Sequence, residues 1–299
     1  MAKAPASAPL AGIALFLAGL LLAALQVALS KVLTAELPVL LVVWGRYLVS
    51  LLLVLPAALV LHGAGAFALA RPGLQLVRGA LMALSTLLFI AAVSGAPIAE
   101  MTAIIFVYPF VMMAFAPWLL GERNRRSSWI AIVAGFVGVL IVMRPGTGTF
   151  GTYGLVALTA GFFMGAYLVI TRRIGESSPP LVTVTCTAAV GVVLLSLPLP
   201  FAWQTIGWTQ IALLLAIGIV ATLCQLFLIL ACTGTDMGTL APFSFCEILF
   251  AATMGFLFFG EFPDAMAWAG IMILAGSGLY VAVIQSGERM QQGRRRSSM

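Results

Sequence analysis

Two short stretches of the chain carry the same motif: residues 120–129 read LGERNRRSSW and residues 259–268 read FGEFPDAMAW. In each stretch a Gly-Glu pair is followed, seven residues after the glutamate, by tryptophan. The two glutamates, Glu122 and Glu261, lie 139 positions apart in a chain of 299 residues. Each copy also follows one long apolar run and precedes another, so the chain consists of two similar halves.

The composition places most of the chain in lipid. Hydrophobic residues make up 63% of it, charged residues only 8%, and the mean hydropathy is +1.16. Soluble domains are about 45–50% apolar and about 25% charged. The net charge of +6 falls in short loops between apolar runs, which indicates topology signals and argues against a nucleic-acid partner. The four cysteines lack paired ligand spacing, so we predict neither a metal site nor a disulfide framework.

A membrane-spanning helix needs about 20 largely apolar residues. The breaks at charged residues, prolines and glycines divide the chain into ten such segments. All ten are predicted to be helices, because an open strand edge would leave backbone groups unpaired in hydrocarbon. The predicted segments are 9–31, 38–61, 74–94, 99–120, 128–144, 153–172, 180–200, 209–231, 238–259 and 266–285.

The positions of lysine and arginine predict the orientation of the ten spans. With both termini in the cytoplasm, 12 of the 15 basic residues lie in cytoplasmic loops and tails, as the positive-inside rule requires. Five spans separate Glu122 from Glu261, so the two motifs are predicted on opposite faces. The first motif is followed by basic residues and the second is not. The sequence therefore predicts an all-α membrane protein with two inverted five-helix repeats, at 8–146 and 152–286, and a basic cytoplasmic tail at 287–299.

The motif and its neighbours resemble the EamA-type branch of the drug/metabolite transporter superfamily. The first half matches through Ala99-Glu100-Met101, Tyr108-Pro109, Gly121-Glu122, Trp129, Gly135, Gly138 and Arg144-Pro145-Gly146, and the second half through Glu247, Gly260-Glu261, Trp268, Gly276 and Gly278. The resemblance implies ten helices and alternating access in a bacterial inner membrane. It also implies movement of a small organic solute, driven by its own gradient, exchange or protons. Inverted repeats of transporters place the substrate near the bilayer midplane between the halves.

Residues 138–146 read GVLIVMRPG and resemble a proteobacterial subgroup that includes riboflavin importers and S-adenosylmethionine carriers. Riboflavin import is therefore the first substrate to consider. Export of amino acids, amines or drugs and S-adenosylmethionine transport are the alternatives. An intramembrane enzyme is the competing class of function, but the spans show no nucleophile, metal cluster or phosphate loop in a catalytic arrangement. We predict no cofactor. The predicted partners are membrane lipid and the small organic solute, and the chain is predicted to be a monomer or a homodimer.

Charged residues inside spans are costly, about 2.5–3.5 kcal/mol at a span centre on insertion scales, so each one needs a partner or a role. Arg46 in the second span is predicted to bind an anionic group of the substrate, to pair with a carboxylate, or to bond backbone carbonyls in helix packing. Glu247 in the ninth span is predicted either to couple transport to protons or bind a cationic group, or to be a structural buried acid.

Other polar and aromatic residues of the spans are candidates for substrate binding. Gln225 and Tyr108 are predicted to hydrogen-bond a substrate near the midplane or to join helices. Trp44, Tyr167 and Phe243 are predicted to stack on a planar ligand or to pack against neighbouring helices.

Three glutamates lie at the ends of spans. Glu100, at the outer end of the fourth span, is predicted to gate the outer entrance or to cap its helix. Glu122 and Glu261 are predicted to have structural roles, in which each carboxylate caps a helix or pairs with a nearby basic group.

Overall fold

The computed structural model describes residues 8–67, 71–120, 126–144, 148–174, 179–235 and 237–280. The regular secondary structure within these ranges is helical, and none of the residues they contain forms a β-strand. This agrees with the prediction of an all-α protein, and the reason is that helices satisfy their own backbone hydrogen bonds in lipid.

The described residues contain twelve α-helices, numbered here in chain order. The first half contains α1 Ala8–Thr34, α2 Val39–His62, α3 Pro72–Ser94, α4 Ile98–Ile105, α5 Tyr108–Leu120 and α6 Arg126–Met143. The second half contains α7 Gly148–Ile174, α8 Pro180–Ser196, α9 Trp208–Gly234, α10 Met237–Leu240, α11 Cys246–Phe259 and α12 Ala265–Tyr280. Short 3₁₀ turns lie at Ala64–Phe67, Leu199–Ala202 and Ala241–Phe245.

Within the ranges that the structure describes, seven helical segments are long and apolar enough to cross a membrane. They are Leu10–Thr34, Val39–His62, Pro72–Ser94, Ile98–Phe115, Gly151–Ile174, Trp208–Cys232 and Pro242–Phe259. Three further apolar helices, Ile132–Met143, Pro180–Ser196 and Ala265–Tyr280, are shorter than the about 20 residues of a full span. These ten segments fall at the ten predicted positions along the chain.

The fourth and ninth predicted spans are not continuous α-helices. Residues 106 and 107 form a turn between α4 and α5, and Ala241–Phe245 forms a 3₁₀ turn between α10 and α11. Pro109 lies in the first turn of α5, directly after the first interruption, and Pro242 lies within the second. Proline has no N–H to donate to the preceding turn, and its ring crowds the carbonyl four residues earlier. Both halves therefore carry a break at the same relative place, which the sequence prediction of unbroken runs missed.

The helix packing is the same when the two halves are exchanged. Helix α1 packs against α9 as α7 packs against α3, and α2 packs against its counterpart α8. Lys31 near the end of α1 bonds the carbonyl of Ala96, which follows α3, and Gly95 lies against Tyr153 in the first turns of α7. Helix α1 therefore ends, and α7 begins, at the same face of the molecule. We call it the Glu261 face, because Lys31 also bonds that residue there.

The glycines of α7 bring the break in the fourth span close to the other half. A Cβ atom on Gly161 would lie 2.9 Å from the carbonyl oxygen of Ile105, and one on Gly165 would lie 3.0 Å from that of Tyr108. Only glycine leaves room for such close approach of backbones, as in small-residue contacts between membrane helices. Helix α7 is therefore held directly against the chain segment that links α4 to α5.

Candidate functional site

A cavity of about 260 Å³ lies between the two halves. Its walls come from α1, α2, α3 and the α4–α5 segment in the first half and from α7, α9 and α11 in the second. Four of the seven predicted substrate-binding residues line it together: Arg46, Tyr108, Gln225 and Glu247. These four come from four different spans, so only the folded chain brings them to one site.

Arg46 is the basic residue of the cavity wall. Its side chain is 8% exposed, and its guanidinium lies 5.0 Å from the ring centre of Tyr47. Within the part of the chain that the structure describes, Arg46 Nε has no hydrogen-bond partner. Arginine presents several N–H donors in a planar fork that matches a carboxylate. The packing role predicted for Arg46 thus leaves at least one buried donor unused.

Glu247 is the acidic residue of the same wall. It lies in the first turn of α11, directly after the 3₁₀ turn, where the helix N-terminus favours a negative charge. Its carboxylate lies close enough to Tyr108 and to Cys224 to act on both electrostatically, and Arg46 also acts on Cys224. The cavity wall therefore carries one positive and one negative group in the neighbourhood of a single thiol.

Several polar residues of the cavity were not among the predicted site residues. Gln26 on α1 is the most informative, because its side-chain oxygen Oε1 is buried and has no hydrogen-bond partner among the described residues. Ser85 and Thr86 also line the cavity, but their hydroxyls donate to backbone carbonyls, of Ala160 at 2.9 Å and of Met82 at 2.9 Å. The position of Gln26 inside the apolar run 9–31 is a sequence signal that could have identified it.

The three other predicted binding residues, all aromatic, do not line this cavity. Trp44 Nε1 donates to Ser196 Oγ at 2.8 Å, and its ring meets Trp203 edge to face at 6.3 Å. The ring of Tyr167 lies 5.7 Å from the Arg78 guanidinium. Phe243 packs against a small apolar cluster of α1, α9 and α10. Each has a packing partner of its own, and a role in substrate binding stays a prediction for all three.

Glu261 belongs to a cluster at the Glu261 face. Gly260 adopts the left-handed conformation (φ 68°) that ends α11, and its N–H donates to Phe256 O at 2.9 Å. Glu261 Oε1 then accepts from Lys31 Nζ at 2.6 Å, while Oε2 lies 3.4 Å from the N–H of Ile98 at the start of α4. The motif glycine thus ends one helix, and its glutamate links that end to α1 and α4.

Glu100 and Asp264 are further acidic groups at this face. Glu100 is buried, at 7% exposure, in the first turn of α4. Its carboxyl group interacts electrostatically with Arg144, Asp264 and Glu261. Asp264 forms an ion pair with Arg144, and that contact, together with the N–H of Ala267, holds the pKa of Asp264 below its usual range. Glu122, the corresponding motif residue of the first half, lies outside the described residues.

A mainly apolar cavity with few charged and amide groups suits reversible binding of a small organic molecule. The residues that the structure describes include no group of three or more His, Cys, Asp or Glu side chains placed to hold a metal ion. Helical spans from two similar halves, with a cavity between them that carries a few polar groups, define a membrane transport protein as the class.

Comparison with known families agrees with this class. The EamA-like transporter family matches the chain twice, at residues 10–144 and 152–283. The chain belongs to this family.

Characterised relatives carry different cargoes. The riboflavin transporter of Rhizobium johnstonii is 28% identical over 211 residues, which cover 70% of each chain. The S-adenosylmethionine uptake transporter of Rickettsia prowazekii is 26% identical over 90% of this chain and 92% of its own. The pseudopaline exporter CntI of Pseudomonas aeruginosa is 30% identical over 83% of this chain and 87% of its own. Their names therefore agree on transport but differ in substrate and direction.

A solved crystal structure resembles the whole chain. It matches with a TM-score of 0.63 over 94% of this chain and 98% of its own, at 19% sequence identity. At that identity the match supports the arrangement of helices and carries no information about cargo.

Proposed function

We propose that this protein is a secondary transporter that moves a small organic metabolite by alternating access, with the cavity between its halves as the substrate site. The observation that carries this proposal is the convergence of Arg46, Tyr108, Gln225 and Glu247 on one cavity. Polar and charged groups inside a membrane protein are costly, and they concentrate on substrate and ion pathways. Binding at the interface between halves also lets a relative movement of the halves open either face.

The proposed architecture has ten spans in two inverted five-helix repeats, 8–146 and 152–286. The exchange symmetry of the helix contacts and the opposite directions of α1 and α7 support it. The three shorter helices would then cross the bilayer as well, aided by local thinning or by residues outside their apolar stretches. We propose that the protein lies in the inner membrane of a bacterial cell, with both termini and the basic tail 287–299 in the cytoplasm.

Riboflavin import is the first substrate to test, because a relative named riboflavin transporter is 28% identical to this chain. S-adenosylmethionine transport and export of amino acids, amines or drugs are the alternatives. A relative named S-adenosylmethionine uptake transporter supports the first, and a relative named pseudopaline exporter supports export as the direction of the second. Transport by this mechanism needs a solute and a lipid bilayer. The proposed transporter is a monomer or a homodimer. It needs neither a cofactor nor a catalytic residue.

Counterflow in proteoliposomes tests the proposal directly. The purified chain is reconstituted with unlabelled compound inside, and uptake of radiolabelled riboflavin, S-adenosylmethionine and amino acids is measured against protein-free liposomes. We expect saturable uptake of at least one compound. Failure of every compound, with protein that still unfolds cooperatively on heating, would contradict the transporter proposal.

A growth test examines riboflavin separately. A riboflavin-auxotrophic bacterium without its own importer should grow on low riboflavin when it expresses this chain. Failure to grow, despite membrane expression, would exclude riboflavin as the substrate and would leave the transporter proposal in place.

A further inference from the structure

Helices α1 and α7 occupy equivalent places in the two halves, and their sequences can be aligned. Pro38 is the N-cap residue of α2, which follows α1, and Pro179 is the N-cap residue of α8, which follows α7. Eight residues before each proline, the hydroxyl of Ser30 or Thr171 donates to the carbonyl four residues earlier at 2.7 Å. The offset of 141 residues between the two prolines therefore aligns the two helices.

The ends of these two helices are buried to different degrees. Lys31, near the end of α1, is 9% exposed, and Ser30 beside it is 2% exposed. With the same offset, Arg172 near the end of α7 is the equivalent of Lys31, and it is exposed, while Thr171 is half-buried. Helix α1 ends at the Glu261 face and α7 ends at the opposite face. The chain is therefore packed more tightly at the Glu261 face.

The two interrupted spans show the same difference. Helix α4, Ile98–Ile105, begins at the Glu261 face, and all eight of its residues are buried. The offset of 139 between the two motifs places residues 237–244 at the equivalent positions of the ninth span. Among those of them whose side chains the structure describes, only Leu240 is buried. Both comparisons indicate a cavity that is closed at the Glu261 face and less closed at the opposite face.

Lys31 joins the two halves at the closed face. Its ammonium lies 2.6 Å from Glu261 Oε1, 2.8 Å from the carbonyl oxygen of Ala96 and 4.8 Å from the ring centre of Phe259. Ala96 follows α3 in the first half, whereas Phe259 ends α11 in the second half and Glu261 follows it. One cation therefore connects α1 and the end of α3 to the end of α11.

This contact lies between the cavity and the Glu261 face. Ser30, the residue before Lys31, lines the cavity. Separation of α1 from the end of α11 would therefore open a path from this face to the cavity. The pair is partly exposed, with side chains 9% and 26% exposed. Because water solvates both charges as the helices separate, breaking this pair costs less than breaking a fully buried one.

We propose that the ion pair between Lys31 and Glu261 is the gate of the Glu261 face. It holds α1 against the end of α11 while the cavity is closed at this face, and it breaks when the face opens. This inference rests on the proposed function, to which it adds the residues that control access from one face. The glutamate of the second motif, expected from the sequence to have a structural role, then acts in the transport cycle.

Access of a reagent to the cavity measures the state of this gate. Ala23→Cys, in a background without the four native cysteines, places one thiol on the cavity wall and is the parent protein of the test. An impermeant thiol reagent is added to one face or the other of oriented membrane vesicles, and the labelling rate is measured. We expect slow labelling of the parent from the Glu261 face, and labelling at least about tenfold faster after Lys31→Met or Glu261→Gln. Tenfold corresponds to about 1.4 kcal/mol in the equilibrium between closed and open states.

Labelling from the opposite face distinguishes opening of the gate from loss of packing. Both variants should label no faster than the parent from that face, because alternating access closes one face as the other opens. Unchanged rates from the Glu261 face in both variants would overturn the gate, and so would faster labelling from both faces, the result expected of a loosened structure. Where neither neutral variant folds, Glu261→Asp keeps the charge but shortens the side chain, and it should also label faster than the parent from the Glu261 face. The parent rate in that variant would overturn the gate.

Glu36 provides a matched control at the same face. It lies in the turn between α1 and α2 and accepts an exposed hydrogen bond from Gln210 Nε2 at 2.8 Å. Glu36→Gln removes one negative charge, as Glu261→Gln does, but leaves the gate in place, so it should label at the parent rate. The double variant of Lys31→Met with Glu261→Gln should label no faster than the faster single variant, because both substitutions remove the same contact. Additive effects of the two substitutions, or faster labelling in Glu36→Gln, would contradict the gate.

The labelling rates require no transport, so the two proposals can fail separately. Faster labelling from the Glu261 face in the neutral variants, without counterflow of any compound by the unmodified protein, would support the gate and count against the transporter. Counterflow by the unmodified protein, with unchanged labelling in the variants, would overturn the gate and leave the transporter in place.

Discussion

The crossing of α6 and α12 gives a stringent test of the packing between the halves. A Cβ atom on Gly270 would lie 2.8 Å from the carbonyl oxygen of Gly138 and 2.6 Å from Val142 Cγ2. A Cβ on Gly138 would lie 2.9 Å from both Gly270 O and Leu274 N. Backbone atoms cannot rotate away, so Gly270→Ala must push the two helices apart. Overpacking of this kind costs about 1–3 kcal/mol of unfolding free energy.

Gly276 provides a matched control on the same helix. A Cβ atom there would meet nothing within 4 Å, so Gly276→Ala should leave stability unchanged or raise it by up to about 1 kcal/mol through helix propensity. Thermal unfolding of the purified proteins in detergent measures the difference by tryptophan fluorescence. We expect Gly270→Ala to lower Tm by roughly 2–10 °C, the shift that corresponds to about 1–3 kcal/mol. Equal Tm values for the two variants would refute the close contact.

Four further predictions concern acidic residues. Cysteines placed beside Glu122 and beside Glu261, in a background without native cysteines, should react with impermeant reagents from opposite faces of the membrane, and labelling from one face would rule out the inverted arrangement. Glu261→Gln leaves the Lys31 ammonium, 9% exposed, without its anion, so thermal unfolding should show a loss of about 2–3 kcal/mol, less than the about 3–5 kcal/mol of a fully buried pair. Glu247→Gln keeps the shape but cannot exchange a proton, so transport in proteoliposomes should lose its pH dependence, and an unchanged pH profile would exclude coupling there. The ion pair with Arg144 lowers the pKa of Asp264, so it adds stability that is present above about pH 4 and lost on acidification below it. The Tm of Asp264→Asn should therefore fall less on acidification than the Tm of the unmodified protein. Identical dependence of Tm on pH in the two proteins would contradict the ion pair.

The charged and amide residues of the site were predictable because they interrupt apolar runs. Arg46, Gln225 and Glu247 each lie in a span, where lipid is the surrounding solvent. A polar side chain in lipid costs free energy, so these residues could be identified as site candidates without knowledge of the fold. Gln26 also interrupts an apolar run, and it lies on the cavity wall although the sequence prediction omitted it.

The aromatic candidates were not predictable by this argument. Tryptophan, tyrosine and phenylalanine are stable facing lipid, a neighbouring helix or a ligand, so their presence in a span does not tell which face they occupy. Trp44 donates a hydrogen bond to Ser196, and the ring of Tyr167 lies against the Arg78 guanidinium. Both partners are distant in sequence. Only the packing of the helices decides such contacts.

Hydropathy did not predict the breaks in the fourth and ninth spans. Continuous apolar runs predicted unbroken spans at 99–120 and 238–259, since hydropathy reports the solvent and carries little information about backbone geometry. Pro109 and Pro242 were the available signals, and proline alone is compatible with a kink as well as with a break.

If the cavity between the halves is the transport site, it must open to each face of the membrane in turn. Gln225→Cys, in a background without the four native cysteines, places one thiol in the cavity wall. In oriented membrane vesicles, an impermeant thiol reagent is added to one face or the other, with and without the transported compound. We expect labelling from both faces and slower labelling when the compound is present. Labelling from a single face, with a rate that the compound does not change, would contradict it.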